Sequence, residues 1–146
     1  MKELTVKSSA FQHDSFIPKK YSCDGEAINP PLTIEDAPKE AKSLALVIDD
    51  PDARSGTFDH WIVWNIPPST TQIAENSVPG MEGLNSARQL DYIAPCPPSG
   101  THRYSFKVYA LDTELSLDAK STKRDFEKAM QDHILAKGEL IGLYHR

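Results

Sequence analysis

The chain has 146 residues, which is enough for one domain with an ordinary hydrophobic core. Its 21 Asp and Glu residues outnumber its 16 Lys and Arg residues. The net charge of −5 argues against nucleic acid as the main partner, because phosphate-backbone binding needs a concentrated basic face. No apolar run approaches the roughly 18 residues of a membrane span, and no signal peptide is visible at the N-terminus. A cytoplasmic protein is therefore expected by default.

Short strands are predicted in the first third of the chain. Residues 4–6 and 32–34 alternate between apolar and polar side chains, and residues 11–17 contain a short apolar segment before a proline. The intervening stretch 18–31 is rich in proline, which removes backbone donors and favours an extended, ordered connection.

Two longer strands are predicted in the middle of the chain. Residues 43–49 form a continuous apolar run, typical of a strand covered on both faces, and residues 60–66 form an aromatic and β-branched run. The loop between them is too short for a crossover helix, so we expect them to pair antiparallel. Residues 69–94 have weak periodicity and many breakers, which predicts a long surface excursion with one helical turn.

The last third combines two strands with the one clear helix. Residues 102–111 alternate as a half-buried strand does, and residues 140–144 alternate weakly. Between them, the apolar side chains of residues 121–137 fall on one helical face, with Ser121 or Thr122 as the cap and Gly138 as the stop.

These elements predict a mainly β protein with a single domain over residues 1–146. About six or seven short strands, one helix and long ordered loops favour a mostly antiparallel β-sandwich with a peripheral helix.

The two cysteines, Cys23 and Cys96, lie far apart in the sequence and lack CxxC spacing. They cannot form a zinc site by themselves. In a reducing compartment, two buried free thiols are expected rather than a disulfide. Each cysteine lies beside a proline-rich loop, however, so a contact between the two stays open.

Acidic and imidazole side chains occur at the ends of three predicted strands. Asp50 and Asp52 follow one strand, His60 begins the next, and His102 and Tyr104 share one face of a third. If these strands adjoin, the side chains converge into a site rich in hydrogen-bond donors for a small oxyanion. Asp50 or Asp52 would then hold an imidazole in its donor tautomer or keep it cationic.

Two other interpretations of these residues stay open. The acids could cap a turn while His60 satisfies buried backbone and Tyr104 packs in the core. Alternatively, two histidines and a carboxylate resemble a metal-binding facial triad, although HxH and HExxH spacings are absent. The sequence contains no G-x-S-x-G elbow and no phosphate-binding glycine loop, so nucleophilic catalysis has no support from motifs.

Several short motifs occur along the chain in a specific order: YSCDG at 21–25, NPPL at 29–32, DPDA at 50–53, HW at 60–61, NIP at 65–67 and PCPPSGTHRY at 95–104. In this order, together with residues 136–144, they resemble the phosphatidylethanolamine-binding protein family. The similarity covers nearly the full chain and is greatest to the short bacterial and archaeal branch of YbhB/YbcL type, also called Raf kinase inhibitor protein-like.

The resemblance implies two antiparallel sheets with a small peripheral helix set and a pocket for phosphate-type anions and phosphorylated head groups. Carried over by position, the pocket would be lined by Asp50, His60, Pro95, His102 and Tyr104. Asp52 would support the pocket through the turn that follows Pro51.

Two residues depart from the family pattern near this pocket. Arg54 replaces the usual proline, which relaxes the turn and adds a cation near the mouth. Ala94 replaces the usual glycine, and a positive φ at that position would be costly for alanine.

The expected function is therefore non-enzymatic binding of a small anionic or phosphorylated ligand, without a metal or cofactor. Regulation of a kinase or protease partner and a homodimer are further hypotheses that the sequence does not locate. One alternative is a serine protease inhibitor that acts through an exposed loop in residues 69–94. Another is a phosphoester hydrolase in which His60 and His102 act as acid and base and Asp50 orients them.

Overall fold

A computed structural model describes residues 1–146 of the chain, with ten strands, one α-helix and one short 3-10 helix at Lys19–Tyr21. In chain order the other elements are β1 (Lys2–Glu3), β2 (Thr5–Lys7), β3 (Ser15–Phe16), β4 (Leu32–Glu35), β5 (Ser43–Asp50), β6 (Phe58–Ile66), β7 (Gln72–Ile73), β8 (Met81–Glu82), β9 (Thr101–Leu111), α1 (Lys123–Met130) and β10 (Ile134–His145). None of the helices is long and apolar enough to cross a membrane.

The strands form two sheets, as the sequence predicts. The larger sheet has seven strands in the order β1-β10-β9-β5-β6-β8, with β3 also paired to β10, and the smaller has the order β2-β4-β7. The pairs among β5, β6, β9 and β10 are antiparallel, whereas β1 and β3 pair parallel to β10. The mainly β class is confirmed, although the larger sheet is mixed at its margin.

Strand β5 lies at the centre because its apolar run needs cover on both faces. All eight of its residues are buried. On one face, a core cluster of 22 buried residues fills the space between the two sheets. On the other face, a cluster of eight buried residues, including Phe126 and Met130 of α1, packs against the sheet. The helix thus covers only the outer face of the larger sheet and does not enter the main core.

The predicted helix over residues 121–137 is only half right. Thr122 caps α1 through a capping box with Asp125, but the helix ends at Met130. The following residues instead form the long strand β10, because their apolar positions also fit an alternating pattern and the edge of β9 requires a partner, as in the pair Ala136–Ala110.

Gly138 is therefore a strand residue and not a helix stop. A Cβ atom at this position would lie 2.3 Å from the Leu4 carbonyl oxygen, so glycine permits a close approach of two backbones. Residues 69–94 also differ from the prediction: they contain the short strands β7 and β8 and no helical turn.

The prediction of two buried free thiols is wrong. Cys23 and Cys96 form a disulfide with a Cα–Cα distance of 5.4 Å, and both residues are exposed. The bond ties the loop after the 3-10 helix to the proline-rich loop before β9, two segments whose proximity only the tertiary fold establishes. A disulfide is uncommon in a reducing compartment. The cytoplasmic location stays a prediction, and this bond is the feature that weighs against it.

Candidate functional site

One end of the larger sheet carries a cavity of about 580 Å³. The end of β5 and the starts of β6 and β9 meet there because these strands run antiparallel in register. They contribute Asp50, His60, His102 and Tyr104 to the wall. We refer to this space as the imidazole cavity. The predicted convergence of these four side chains is thus observed, and loop residues 53–57, 93–94 and 96–98 complete much of the rim.

His102 is oriented by a carboxylate. Its Nδ1 atom lies 2.7 Å from Asp50 Oδ2, and a carboxylate acceptor at that distance favours a proton on Nδ1. The other oxygen of Asp50 accepts a 2.8 Å hydrogen bond from the backbone N–H of Asp52. Each oxygen of Asp50 therefore accepts one hydrogen bond, and Asp50 holds the His102 ring as the sequence predicts.

His60 is oriented by the backbone. Its Nδ1 atom lies 2.6 Å from the carbonyl oxygen of Ile93, and because a carbonyl only accepts, Nδ1 carries the hydrogen. The His60 backbone carbonyl in turn accepts a 3.0 Å hydrogen bond from the Ile93 N–H. Burial lowers the pKa of His60, and the Ile93 carbonyl together with nearby carboxylates only partly offsets this effect. The ring is consequently neutral at neutral pH.

Tyr104 packs between the two imidazoles. Its ring centroid is 5.3 Å from that of His60 in an edge-on arrangement and 6.5 Å from that of His102 in a stacked one. Burial raises the pKa of Tyr104, and the carboxylates of Asp50 and Asp52 raise it further, so the side chain is a neutral phenol. No group of the chain accepts a hydrogen bond from its hydroxyl, which leaves that donor to the cavity.

Two of the six predicted ligand-binding residues do not line the cavity. Asp52 turns away from it and binds Arg103, accepting hydrogen bonds from the Arg103 backbone N–H and Nε at 2.9 Å and from a terminal guanidinium nitrogen at 2.8 Å. These bonds lower the pKa of Asp52 to about 2. Its support of the cavity is indirect, through the turn whose N–H binds Asp50.

Pro95 is buried behind the wall, where its carbonyl accepts a 3.1 Å hydrogen bond from the Cys23 N–H. Its neighbours Ala94 and Cys96 line the cavity instead. The predicted role of Pro95 as a lining residue is therefore not what the structure shows.

The two departures from the family pattern both fall on the cavity wall. Arg54 is exposed and lines the mouth, so it adds the cation that the sequence suggested. Ala94 does not have a positive φ, so alanine causes no backbone strain at this position. The concern about Ala94 does not hold.

Sequence reasoning missed two groups that shape the cavity. The Ile93 carbonyl fixes the tautomer of His60 but lies in an aperiodic segment, so no pattern identifies it. Phe58 packs edge-on against His60 with a centroid distance of 4.9 Å. As the first residue of β6, two positions before His60, it could have been placed on the same face by strand alternation.

The cavity side chains do not form a metal-binding cluster. No group of three or more His, Cys, Asp or Glu residues is placed to hold a metal ion. The histidine and tyrosine side chains instead leave their two Nε2 atoms and the Tyr104 hydroxyl hydrogen for a ligand, while the Cys96 backbone N–H contacts the hydroxyl oxygen. This arrangement is suited to hydrogen bonding with a small polar ligand.

Comparison with known proteins assigns the family. The family model for phosphatidylethanolamine-binding protein matches residues 7–145. A UPF0098 protein of Methanothermobacter thermautotrophicus is 48% identical over 98% of this chain and 99% of the relative, and one of Chlamydia trachomatis is 44% identical with the same coverage.

Solved structures give the same assignment. The crystal structure of a Chlamydia trachomatis protein described as a phosphatidylethanolamine-binding protein homolog has a TM-score of 0.96 and 43% identity, and covers 100% of this chain and 99% of its own. The structure of Escherichia coli YbcL has a TM-score of 0.90 and 26% identity, with 99% of each chain covered. The resemblance drawn from the sequence motifs is confirmed, and this chain belongs to the phosphatidylethanolamine-binding protein family.

Proposed function

We propose that the protein binds a small phosphorylated or otherwise anionic ligand in the imidazole cavity without transforming it. The observation that carries the proposal is the pair of imidazoles, His60 and His102, whose Nδ1 atoms are both committed while their Nε2 atoms have no partner within the chain. Two fixed rings around the free hydroxyl of Tyr104 form a preorganised set of polar groups at the end of a rigid sheet.

The charges around the cavity suit an oxyanion of low charge. Arg54 adds a positive charge at the mouth, and the carboxylate of Asp50 adds a negative charge at the wall beside His102. The Tyr104 hydroxyl supplies a neutral donor close to both rings. A tetrahedral phosphoryl group presents several oxygens at once and can satisfy these groups together.

The absence of turnover is part of the proposal. The cavity wall includes the hydroxyls of Ser55, Thr57 and Ser86, but none of them is hydrogen-bonded to an imidazole. An activated nucleophile requires a base within hydrogen-bonding reach. Covalent catalysis by one of these hydroxyls therefore lacks the pairing that would support it. The competing hydrolase role, with His60 and His102 as acid and base and Asp50 orienting them, needs no such hydroxyl and is decided by the turnover test below.

Titration with inorganic phosphate, followed by calorimetry and by the NMR signals of the histidine rings, tests this proposal. The His102→Ala and Tyr104→Phe variants should each weaken binding by about tenfold, because each removes one polar contact. His133→Ala and Tyr109→Phe are matched controls outside the imidazole cavity and should bind as the wild type does. Binding that none of the four substitutions changes would place the ligand elsewhere, and hydrolysis of p-nitrophenyl phosphate lost in His102→Ala would contradict the non-enzymatic role.

Regulation of a protein partner is a second layer of the proposal. Val78, Met81 and Leu90 are exposed apolar side chains in the 69–94 segment, and exposed apolar side chains are what a protease-inhibiting loop would offer. Titration against serine proteases tests that role, and sedimentation of the purified protein tests the predicted homodimer. Unchanged protease activity at saturating protein would remove the inhibitor alternative.

A further inference from the structure

We infer that the imidazole cavity takes an oxyanion that still carries a proton, a phosphate or phosphomonoester with a P–OH group, in preference to a sulfate or a phosphodiester. This inference rests on the proposed function and narrows its ligand class. It follows from the direction of the hydrogen bonds at His60.

The hydrogen-bond donor of His60 is already used. Its Nδ1–H donates to the Ile93 carbonyl at 2.6 Å, so the Nε2 atom of the neutral ring holds a lone pair and accepts. The ring is held edge-on between Phe58 and Tyr104 at centroid distances of 4.9 and 5.3 Å, which opposes a flip that would exchange the two nitrogens. The cavity therefore contains one fixed acceptor.

The Nε2 atom of His60 has no hydrogen-bond partner within the chain, but it is not fully buried. Two fully buried side-chain atoms make no hydrogen bond of good geometry, Trp64 Nε1 and Asp59 Oδ1, and the second of them lies 2.9 Å from the Lys123 ammonium. The Nε2 atom of His60 is not among them although it makes no bond, so it is accessible from the cavity that His60 lines. A ligand that fills the cavity must either donate a hydrogen to this atom or leave it unsatisfied.

A second proton on His60 would turn the acceptor into a donor, and the surroundings oppose it. His60 is 5% exposed, and burial lowers its pKa despite the Ile93 carbonyl and the carboxylates of Asp50, Asp49 and Asp59. His102, Tyr104 and the exposed Arg54 are the other ionisable groups of the cavity wall, and neither a neutral phenol nor a guanidinium favours a positive charge on His60. The acceptor therefore persists at neutral pH.

Asp50 adds a second reason to reject an anion that has no proton. It is a cavity-lining carboxylate whose two oxygens each accept one hydrogen bond, from His102 and from the Asp52 N–H. Its negative charge and its remaining lone pairs both disfavour an anion that has no hydrogen to donate. A P–OH group reduces the ligand's charge and donates to His60, while its other oxygens accept from Tyr104. A sulfate oxygen would instead set a lone pair against the Nε2 lone pair.

Two pairs of probe anions test the requirement for a ligand proton, because the members of each pair have the same charge and only one of them carries an O–H hydrogen. Phosphate and sulfate at mildly alkaline pH are both tetrahedral dianions, and only phosphate carries a hydrogen. Methyl phosphate and dimethyl phosphate at mildly acidic pH are both monoanions, and only the monoester carries one. In calorimetric titrations of the wild-type protein, we expect the proton-bearing member of each pair to bind about tenfold more tightly or better, because a buried polar group left unpaired is costly.

The outcomes are distinct. Equal affinity within both pairs would overturn the inference and leave the proposed function intact, whereas no binding of any probe would remove both. Glycerophosphoethanolamine separates a lipid head group from a free phosphomonoester, because its only donors are hydroxyl and ammonium groups. If it bound as tightly as methyl phosphate, the donor would not be a P–OH group and the assignment would be wrong.

Substitution of His60 tests whether its Nε2 atom selects the ligand. If His60 had only a structural role, the substitution would not change the ratio of phosphate affinity to sulfate affinity. A carboxamide in His60→Gln can present either a donor or an acceptor, so the phosphate-to-sulfate ratio should fall towards one while sulfate binding persists. His133→Ala should keep the wild-type ratio. If His60→Gln fails to fold, the two probe pairs on the wild-type protein still decide the inference.

Discussion

The Nδ1 atom of His102 lies 2.7 Å from Asp50 Oδ2, and the two side chains are only 13% and 5% exposed. The pair links the end of β5 to the start of β9, so the sheet itself sets its geometry. A second pair, His133 with Asp112, has the same 2.7 Å distance but is 45% and 44% exposed. The chain thus contains a buried and an exposed version of one interaction.

Loss of the buried pair should cost more stability than loss of the exposed one. His102→Ala leaves the carboxylate of Asp50 with only the Asp52 N–H as partner, and we expect a loss of about 1–3 kcal/mol in the free energy of unfolding. His133→Ala should cost less than about 1 kcal/mol, because water replaces an exposed partner. Urea unfolding at neutral pH measures both, and equal losses would show that burial of the first pair has no energetic consequence.

The Asp52–Arg103 pair should stabilise the fold only above acid pH. Arg103 lowers the pKa of Asp52 to about 2, so the folded state holds its proton less readily than the unfolded chain. Its contribution is therefore complete above about pH 4 and is lost as pH falls towards about 2. Because Arg103 is 58% exposed, we expect no more than about 1 kcal/mol.

The comparison of wild type with Asp52→Asn across this pH range checks the prediction. The difference between their unfolding free energies should shrink as the pH falls. Glu35→Gln, at the exposed pair of Lys7 and Glu35, serves as a control for general acid effects. A difference that grows on acidification would contradict the sign.

His60 should make the protein less stable as the solution becomes mildly acidic. Burial lowers the pKa of His60, so the unfolded chain takes up this proton before the folded protein does. The contribution of neutral His60 to the free energy of unfolding is therefore fully present above the ordinary histidine pKa of about 6.5. It decreases as the pH falls below that value. In His60→Phe this part of the pH dependence should disappear, while His133→Ala should keep it.

Much of the fold follows from local sequence pattern because the central strands carry strong signals. The apolar run at 43–49 could only be a strand covered on both faces, and the alternation at 102–111 fixed which side chains face the core. The sequence predicts the later part of the strand over 134–145, at residues 140–144, but it predicts helix for the first part, because those residues fit helical and strand periods alike. Only the exposed edge of β9 decided between them, and a tertiary partner of this kind has no signature in a local window.

The candidate site likewise contains residues that the local sequence predicts and others that only tertiary contacts determine. Asp50, His60, His102 and Tyr104 were found because acids and imidazoles at strand ends stand out against apolar runs. The orientation of Asp52 away from the cavity was not predicted. It depends on Arg103, which follows His102 directly and points to the other face of β9, where it binds Asp52. The Cys23–Cys96 bond joins loops 73 residues apart, and no local property of either cysteine indicates it.

Removal of that disulfide should destabilise the protein and loosen the cavity wall. The Cys23→Ser/Cys96→Ser double variant should lose about 2–4 kcal/mol, because the cross-link closes a long loop in the unfolded chain. Cys96 lines the imidazole cavity, so phosphate should also bind more weakly to the variant. Reducing agent should lower the urea midpoint of the wild type and leave that of the double variant unchanged. If reducing agent did not change the urea midpoint of the wild type, the disulfide would make no contribution to stability.

Asp49 and Asp50 are adjacent, but alternation along β5 places their side chains on opposite faces of the sheet. Asp49 is almost fully buried at 2% exposure and accepts hydrogen bonds from Lys107 at 3.1 Å and Lys123 at 3.2 Å. It lines a separate cavity of about 340 Å³ with these two lysines. Lys123 belongs to α1, so this carboxylate fastens the helix to the sheet.

Asp49→Ala should therefore reduce stability without affecting the ligand. We expect a loss of about 3 kcal/mol in the free energy of unfolding, because two partly buried ammonium groups lose their shared carboxylate. Phosphate affinity should equal that of the wild type, since the substituted side chain lies on the far face of the sheet. Asp50→Ala should instead weaken phosphate binding by roughly tenfold, because His102 loses the group that orients it. If Asp49→Ala weakened binding as much as Asp50→Ala does, the two faces of β5 would be coupled, and the ligand would not be confined to the imidazole cavity.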